Sequence, residues 1–72
     1  MQTGTVAFFD QTRGFGFIAL DAGGQDVFLH RRALERAGIN YVEQGDRLTF
    51  ELEPDRRGTG RPEAQKISRL ED

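Results

Sequence analysis

The alternation of apolar and polar residues along the chain predicts five short β-strands. Short polar or glycine-rich segments separate the first three, an arrangement typical of an antiparallel meander. Only 31–38 has the 3.6-residue period of a helix, and its one or two turns end at Gly38. The five predicted strands span 3–9, 15–20, 26–30, 47–53 and 64–70.

The fourth strand divides most clearly into an inner and an outer face. Leu48, Phe50 and Leu52 share one face, whereas threonine and glutamate occupy the other. We therefore expect these three residues in the core, joined by Ile67 from the last strand. Five strands, one helical turn and no internal repeat predict an all-β protein closed into a small barrel, because closure removes exposed sheet edges.

The second strand carries its aromatic residues on one face only. Phe15 and Phe17 lie two residues apart, so both rings stand on the same side of a strand. The residues that alternate with them are Gly14, Gly16 and Ile18. Glycine adds almost nothing to a core, so we expect the isoleucine to point inward and both rings to point outward.

The third strand repeats this division between an aliphatic and an aromatic face. Val27 and Leu29 suit the core, which sends Phe28 and His30 to the other side. Burying both faces would require a second covering layer, and the chain has no helix long enough to supply one. The sequence therefore predicts that the outer face of two consecutive strands is aromatic, and such an exposed patch is typical of a binding surface.

The orientation of Phe8 depends on an irregularity in the first strand. Val6 and Phe8 share a parity, so a regular strand would turn both to the same side and Phe9 to the other. A β-bulge near Phe8 and Phe9 would send the valine inward and Phe8 outward. With that bulge, the exposed patch would contain Phe8, Phe15, Phe17, Phe28 and His30.

Composition and charge limit the class of protein. Seventy-two residues suffice for one small domain, predicted to span 1–72, and the absence of cysteine excludes disulfides and thiolate metal sites. No secretory signal and no apolar run of roughly 20 residues is present, so we expect a cytoplasmic protein without membrane association. The net charge of −2 argues against coating duplex DNA by charge. However, nine of the ten basic residues are arginine, which stacks on bases and grips phosphate.

The residue types that usually build catalytic or cofactor sites do not occur in the required combinations in this sequence. His30 is the only histidine, and without cysteine it makes no convincing metal site. Ser68, the only serine, lies in the final strand and does not suggest a nucleophilic triad. Residues 14–19 match the letters of G-x-G-x-x-G/A, but no helix follows them. We therefore expect no enzymatic activity, no cofactor and no small-molecule substrate.

Segments along nearly the whole chain match one family pattern in order and spacing. GTVAFFD at 4–10 is similar to G-x-V-K-W-F-N, RGFGFI at 13–18 to K-G-F-G-F-I, and DVFLH at 26–30 to D-V-F-V-H. Residues 43–50 and 62–67 are similar to E-G-x-x-V-x-F and P-Q-A-A-N-V. The chain thus resembles the bacterial cold-shock proteins of the cold-shock or Y-box family.

This resemblance implies a five-stranded antiparallel OB-fold barrel that binds single-stranded RNA and DNA. Family members act as RNA chaperones, and some are induced by cold and regulate transcription or translation. We expect a monomer, with a strand-exchanged dimer as the alternative. The implied roles are base stacking by the rings, phosphate contact by arginine and base-edge contact by Asp26. The candidate nucleic-acid-binding residues are Phe8, Arg13, Phe15, Phe17, Asp26, Phe28, His30, Arg31, Arg57 and Arg61.

The sequence departs from the family pattern at the margins of this site. Ala7 stands where lysine is usual, and Asp10 stands in place of asparagine. Phe8 replaces tryptophan, Arg31 replaces a phenylalanine, and Ile39 lies about where another aromatic residue is usual. Each lost stacking ring is worth about 1–3 kcal/mol. We therefore expect binding that is retained but weaker than in a fully aromatic relative.

Two other interpretations compete with a nucleic-acid-binding barrel. An RNA-recognition motif also contains R-G-F-G-F-I, but it places its second motif before the first and adds two longer helices. Here 26–30 follows 13–18, which disfavours that fold. A protein-interaction module on the same barrel remains open, because interface hot spots are also rich in aromatic residues and arginine.

Overall fold

Five strands and one short helix make up the part of the chain that the computed structural model describes, residues 1–24, 26–54 and 60–70. Each element lies within two residues of its predicted position. None of the described residues belongs to a helix long and apolar enough to cross a membrane. The elements are β1 (Gln2–Asp10), β2 (Phe15–Leu20), β3 (Val27–His30), α1 (Arg31–Arg36), β4 (Arg47–Glu53) and β5 (Glu63–Arg69).

The strands close into a barrel in the order β1-β2-β3-β5-β4, with β4 pairing back onto β1. The predicted OB-type barrel is therefore confirmed. Its neighbouring strands are antiparallel except for β3 and β5, which pair in parallel at Phe28 and Glu63. The prediction of a fully antiparallel sheet is wrong at this pair. In a closed ring of five strands, direction cannot alternate at every neighbour because five is odd.

The barrel encloses an aliphatic core around the ring of Phe50, which is fully buried. The short helix α1 adds Ala33 and Leu34 to this core. Most inward positions predicted from the sequence are confirmed, because their side chains are at most 3% exposed: Ile18, Val27, Leu29, Leu48, Phe50 and Ile67.

Leu52 departs from the predicted pattern, because its side chain is 38% exposed instead of lying in the core. The pairing of β4 with β5 shifts register between Thr49 and Glu51. Lys66, at this irregularity, has a left-handed backbone with φ of 52°. A bulge of this kind adds local twist and bends the strands. Leu52 pairs directly with the buried Ala64, so it keeps the inward side that alternation predicts. It lies past Phe50, the last β4 residue that pairs with β1, so the open end of the barrel leaves its side chain exposed.

β1 contains the bulge that an outward Phe8 requires. Val6 pairs with Ile18 and Phe8 pairs with Phe17, and the register shifts between these two pairs. Ala7 is the extra residue at that shift. Val6 is fully buried, whereas Phe8 is 46% exposed. The prediction that this bulge turns Phe8 to the outer face is confirmed.

Gly16 is required by the close approach of β1 and β2 behind the aromatic face. A Cβ atom added to Gly16 would lie 2.1 Å from the carbonyl oxygen of Phe8 and 2.7 Å from the Cα atom of Phe9. Neither backbone atom can move away without breaking the pairing of the two strands. The glycine next to Phe17 therefore allows β1 to come near enough for its ring to meet those of β2.

Candidate nucleic-acid interface

Five rings from three strands lie together on the outer face of the barrel. Phe8 on β1 pairs with Phe17 on β2, which also pairs with Phe28 on β3. In the neighbouring row, Phe15 pairs with His30. These pairs place the five side chains side by side, as the sequence predicted. We call Phe8, Phe15, Phe17, Phe28 and His30 the aromatic platform.

The rings of the aromatic platform are in contact with one another throughout. Neighbouring centroids are 5.9–6.5 Å apart, within the range of favourable aromatic pairs. Phe15 and Phe28 are nearly parallel, with 18° between their planes, and Phe8 and Phe17 are at 23°. The other phenylalanine pairs meet edge to face. The platform is thus held in place by its own packing, and its rings remain half-buried or exposed.

His30 connects the platform to the beginning of α1. It is the N-cap residue of the helix, and its Nδ1 atom accepts a hydrogen bond of 3.0 Å from the backbone N–H of Arg32. An accepting Nδ1 places the proton of the neutral ring on Nε2. This cap fixes the ring orientation, so the end of the platform is ordered by the helix that follows it.

Asp10 and Arg13 form the turn at one margin of the platform. The backbone N–H groups of Thr12 and Arg13 donate to Oδ1 of Asp10 at 3.0 and 3.1 Å. The Nε atom of Arg13 lies 3.8 Å from the other carboxylate oxygen, and this arginine is 75% exposed. Asp10, which pairs with Phe15, therefore serves as the acceptor that orders the turn. Its negative charge is partly offset by hydrogen bonds and by Arg13.

Two further arginines reach the platform from the chain that flanks it. The backbone N–H of Arg31 donates to the carbonyl oxygen of Gly14 at 2.8 Å. The guanidinium of Arg31 lies 3.1 Å from where a Cβ atom of that glycine would stand, so the side chain covers the backbone beside Phe15. The Cζ atom of Arg61 lies 4.9 Å from the centroid of Phe17, which is a cation–π contact.

Two candidate residues remain to be placed, and the structure adds a third residue at the platform margin. Asp26 is exposed and directly precedes β3, where it shares the outward parity of Phe28. Arg57 lies outside the described residues. The structure also brings Glu63 beside Phe28, through the parallel pairing of β3 with β5. No local sequence signal indicates this carboxylate, because the pairing joins distant parts of the chain.

Comparison with known proteins agrees with this arrangement. Residues 2–70 match the family model described as the 'Cold-shock' DNA-binding domain. The chain is 49% identical to the probable cold shock protein y4cH of Sinorhizobium fredii over 57 aligned residues. The aligned region covers 79% of this chain and 83% of the relative. It is 43% identical to the cold shock-like protein CspLB of Listeria monocytogenes, over 97% of this chain and 100% of the relative. The chain is 40% identical to the cold shock-like protein CspA of Vibrio cholerae, over 94% of this chain and 93% of the relative.

The matched region contains all five strands and the whole aromatic platform. Neither the family description nor these relatives' names denote an enzyme; the family is one of nucleic-acid-binding domains. The motifs, the barrel, the outward rings and the extent of the match therefore agree, and the chain belongs to the cold-shock DNA-binding domain family.

Proposed function

We propose that the protein binds single-stranded RNA and DNA on the aromatic platform. The observation that carries this proposal is the continuous set of five rings on the outer face of a barrel whose core is already filled by aliphatic residues around Phe50. Every base has a π-face that stacks on such rings, so the binding is tolerant of sequence. Duplexes are poor ligands, because their bases are stacked on one another and are not available to a platform.

Arginine supplies the phosphate contacts in this proposal. Arg13, Arg31 and Arg61 border the rings, and each presents a guanidinium that binds phosphate oxygens or stacks on a base. By holding unpaired strands open, the protein acts as an RNA chaperone or cold-shock-type regulator of transcription and translation in the cytoplasm. Membership of the cold-shock domain family and the names of the relatives support this role.

Titration with short oligonucleotides tests the proposal. We expect heptamers of uridine and of thymidine to bind, and a duplex long enough to stay annealed under the same conditions to bind much more weakly. Affinity should fall with added salt, with a logarithmic slope of about −0.7 for each phosphate contacted and only a few phosphates involved. Calorimetry is the suitable measurement, because the chain has no tryptophan and its single tyrosine, Tyr41, is not part of the platform. No heat of binding at low salt would refute the proposal.

The alternative is a protein-interaction module that uses the same surface. Carboxylates at the platform margin, from Asp10, Asp26 and Glu63, favour it over a strongly basic nucleic-acid groove. Aromatic residues and arginine also dominate protein interfaces. The same titration separates the two functions, because an interaction module predicts weak or no oligonucleotide binding and no dependence on the number of phosphates.

Asp10→Asn is expected to raise affinity for a uridine heptamer about twofold to fivefold. The amide oxygen of asparagine still accepts from the turn, whereas the negative charge near the bound strand is removed and Arg13 is released to phosphate. Calorimetry gives the affinity, and urea unfolding should show little change in stability. Asp10→Ala is the control, because it loses the turn acceptor and should cost about 1 kcal/mol of stability. Unchanged affinity in Asp10→Asn would place this carboxylate away from the strand.

A further inference from the structure

A cavity of about 230 Å³ opens at the edge of the aromatic platform, between α1 and the strands β4 and β5. His30 belongs to both the platform and the cavity wall. Glu63, on the opposite wall, pairs with Phe28. The cavity therefore continues the platform past its last ring, and a strand lying on the rings has direct access to it.

One wall of the cavity is basic. Arg32 and Arg36 lie four residues apart on α1, so their side chains lie on the same face of the helix. Both residues are exposed, and a guanidinium pair of this spacing suits the phosphate of a nucleotide. Between them, Ala33 is small and leaves the space open.

The opposite wall is rich in hydrogen-bond acceptors. The Nε2 atom of Gln65 donates to Oε2 of Glu63 at 2.7 Å, an arrangement that fixes both side chains relative to each other. The carboxylate of Glu63 and the amide oxygen of Gln65 are acceptors, and Glu53 adds a second carboxylate. Carboxylates accept well from the exocyclic amino group of cytosine, whereas uracil presents an oxygen at the same position.

These two walls together specify a ligand that neither wall specifies by itself. A simple anion would be repelled by the carboxylates, and a simple cation would be repelled by the arginines. A nucleotide carries a phosphate at one end and hydrogen-bond donors on its base. The cavity of about 230 Å³ is open to solvent on one side, so it has room for a single base with the sugar and phosphate at its rim, and it is too small for two.

We propose that this cavity binds one further nucleotide of the strand held by the platform, and that it prefers cytosine to uracil at that position. Arg32 and Arg36 contact its phosphate, and Glu63 with Gln65 accepts from the N4 amino group. This inference rests on the proposed function, because the platform delivers the strand to the cavity.

The test uses uridine heptamers in which cytidine replaces either the first or the last residue. We expect the change at one end to tighten binding at least about fivefold over the all-uridine heptamer, and the change at the other end to have no effect. Cytosine and uracil are nearly the same size, so stacking differs little between them. Better binding at both ends, or at neither, would overturn the inference.

Two variants and one matched control locate the effect. Gln65→Ala removes one acceptor and the hydrogen bond that orients the Glu63 carboxylate, so it should abolish the preference for the cytidine-containing heptamer over the all-uridine heptamer. Arg36→Gln should weaken both heptamers by the same factor, because it removes a phosphate contact. Arg47→Gln, which changes net charge equally at an exposed site that pairs with Asp21, should leave binding unaltered. If Gln65→Ala retains the preference, the cavity assignment is wrong.

The outcomes separate this inference from the function on which it depends. Absence of binding by the all-uridine heptamer would refute the platform proposal and the cavity proposal together. Binding of that heptamer without any effect of cytidine would refute the cavity preference and leave the platform proposal standing.

Discussion

Phe50→Ala is expected to lower the free energy of unfolding by about 3–5 kcal/mol. The ring is fully buried at the centre of the barrel core, so its removal leaves a cavity that the surrounding strands cannot close. A domain of this size has little stability to lose, and the variant should be largely unfolded or close to it at room temperature. Urea unfolding followed by far-UV circular dichroism measures the loss.

Leu52→Ala is the matched control for this prediction. Leu52 lies on the same strand and would share the core face by simple alternation, yet it is 38% exposed. Its truncation should therefore cost much less than that of Phe50. Equal losses in the two variants would contradict the exposed position of Leu52 at the open end of the barrel.

Phe15→Ala combined with Phe28→Ala is expected to weaken binding of a uridine heptamer at least about 30-fold. Each stacking ring is worth about 1–3 kcal/mol, so two rings remove about 2 kcal/mol or more. These two rings stack on each other with their planes at 18°, so together they form the centre of the platform. Calorimetric titration of the double variant measures the loss directly.

The stability of the same double variant provides an internal check. Both rings lie on the outer face, and neither belongs to the buried core. The double variant should therefore lose much less free energy of unfolding than Phe50→Ala. Tyr41→Ala is the control for aromatic content, because Tyr41 is 53% exposed and lies outside the platform. Unfolding of the double variant at room temperature would show that the rings are structural. Full retention of binding would show that the aromatic platform is not the nucleic-acid-binding surface.

These predictions depend on the two faces of a strand having different roles, one in stability and the other in binding. In β2 and β3, aliphatic residues point inward and aromatic residues point outward, so stability and binding are carried by alternate positions. Substitutions on the outer face can therefore change affinity with little effect on folding. The margins of the platform are where this chain differs from the family pattern, and there arginine stands beside carboxylates.

Much of the fold was predictable because the relevant signals are local. Alternation assigned the inner and outer faces of β2 and β3 correctly, since those strands are regular where they pair with each other. Parity also indicated that Phe8 could face outward only through a bulge, and the register shift beside Ala7 provides it. Alternation placed Leu52 on the inward side, where it pairs with Ala64. It could not show that β1 begins opposite Phe50 and leaves Leu52 uncovered, because that depends on a neighbouring strand.

The sequence by itself determined the five strands, the aliphatic core and the outward set of rings, because period-two patterning and turn residues act over a few neighbouring positions. Only the tertiary structure decided what borders those rings. Closure of an odd number of strands requires at least one parallel pair, which here is β3 with β5, and this pairing brings Glu63 beside Phe28. The same closure sets α1 against β5 and opens the cavity between them. Contacts between distant segments depend on the path of the whole chain, and for that reason no stretch of sequence contains them.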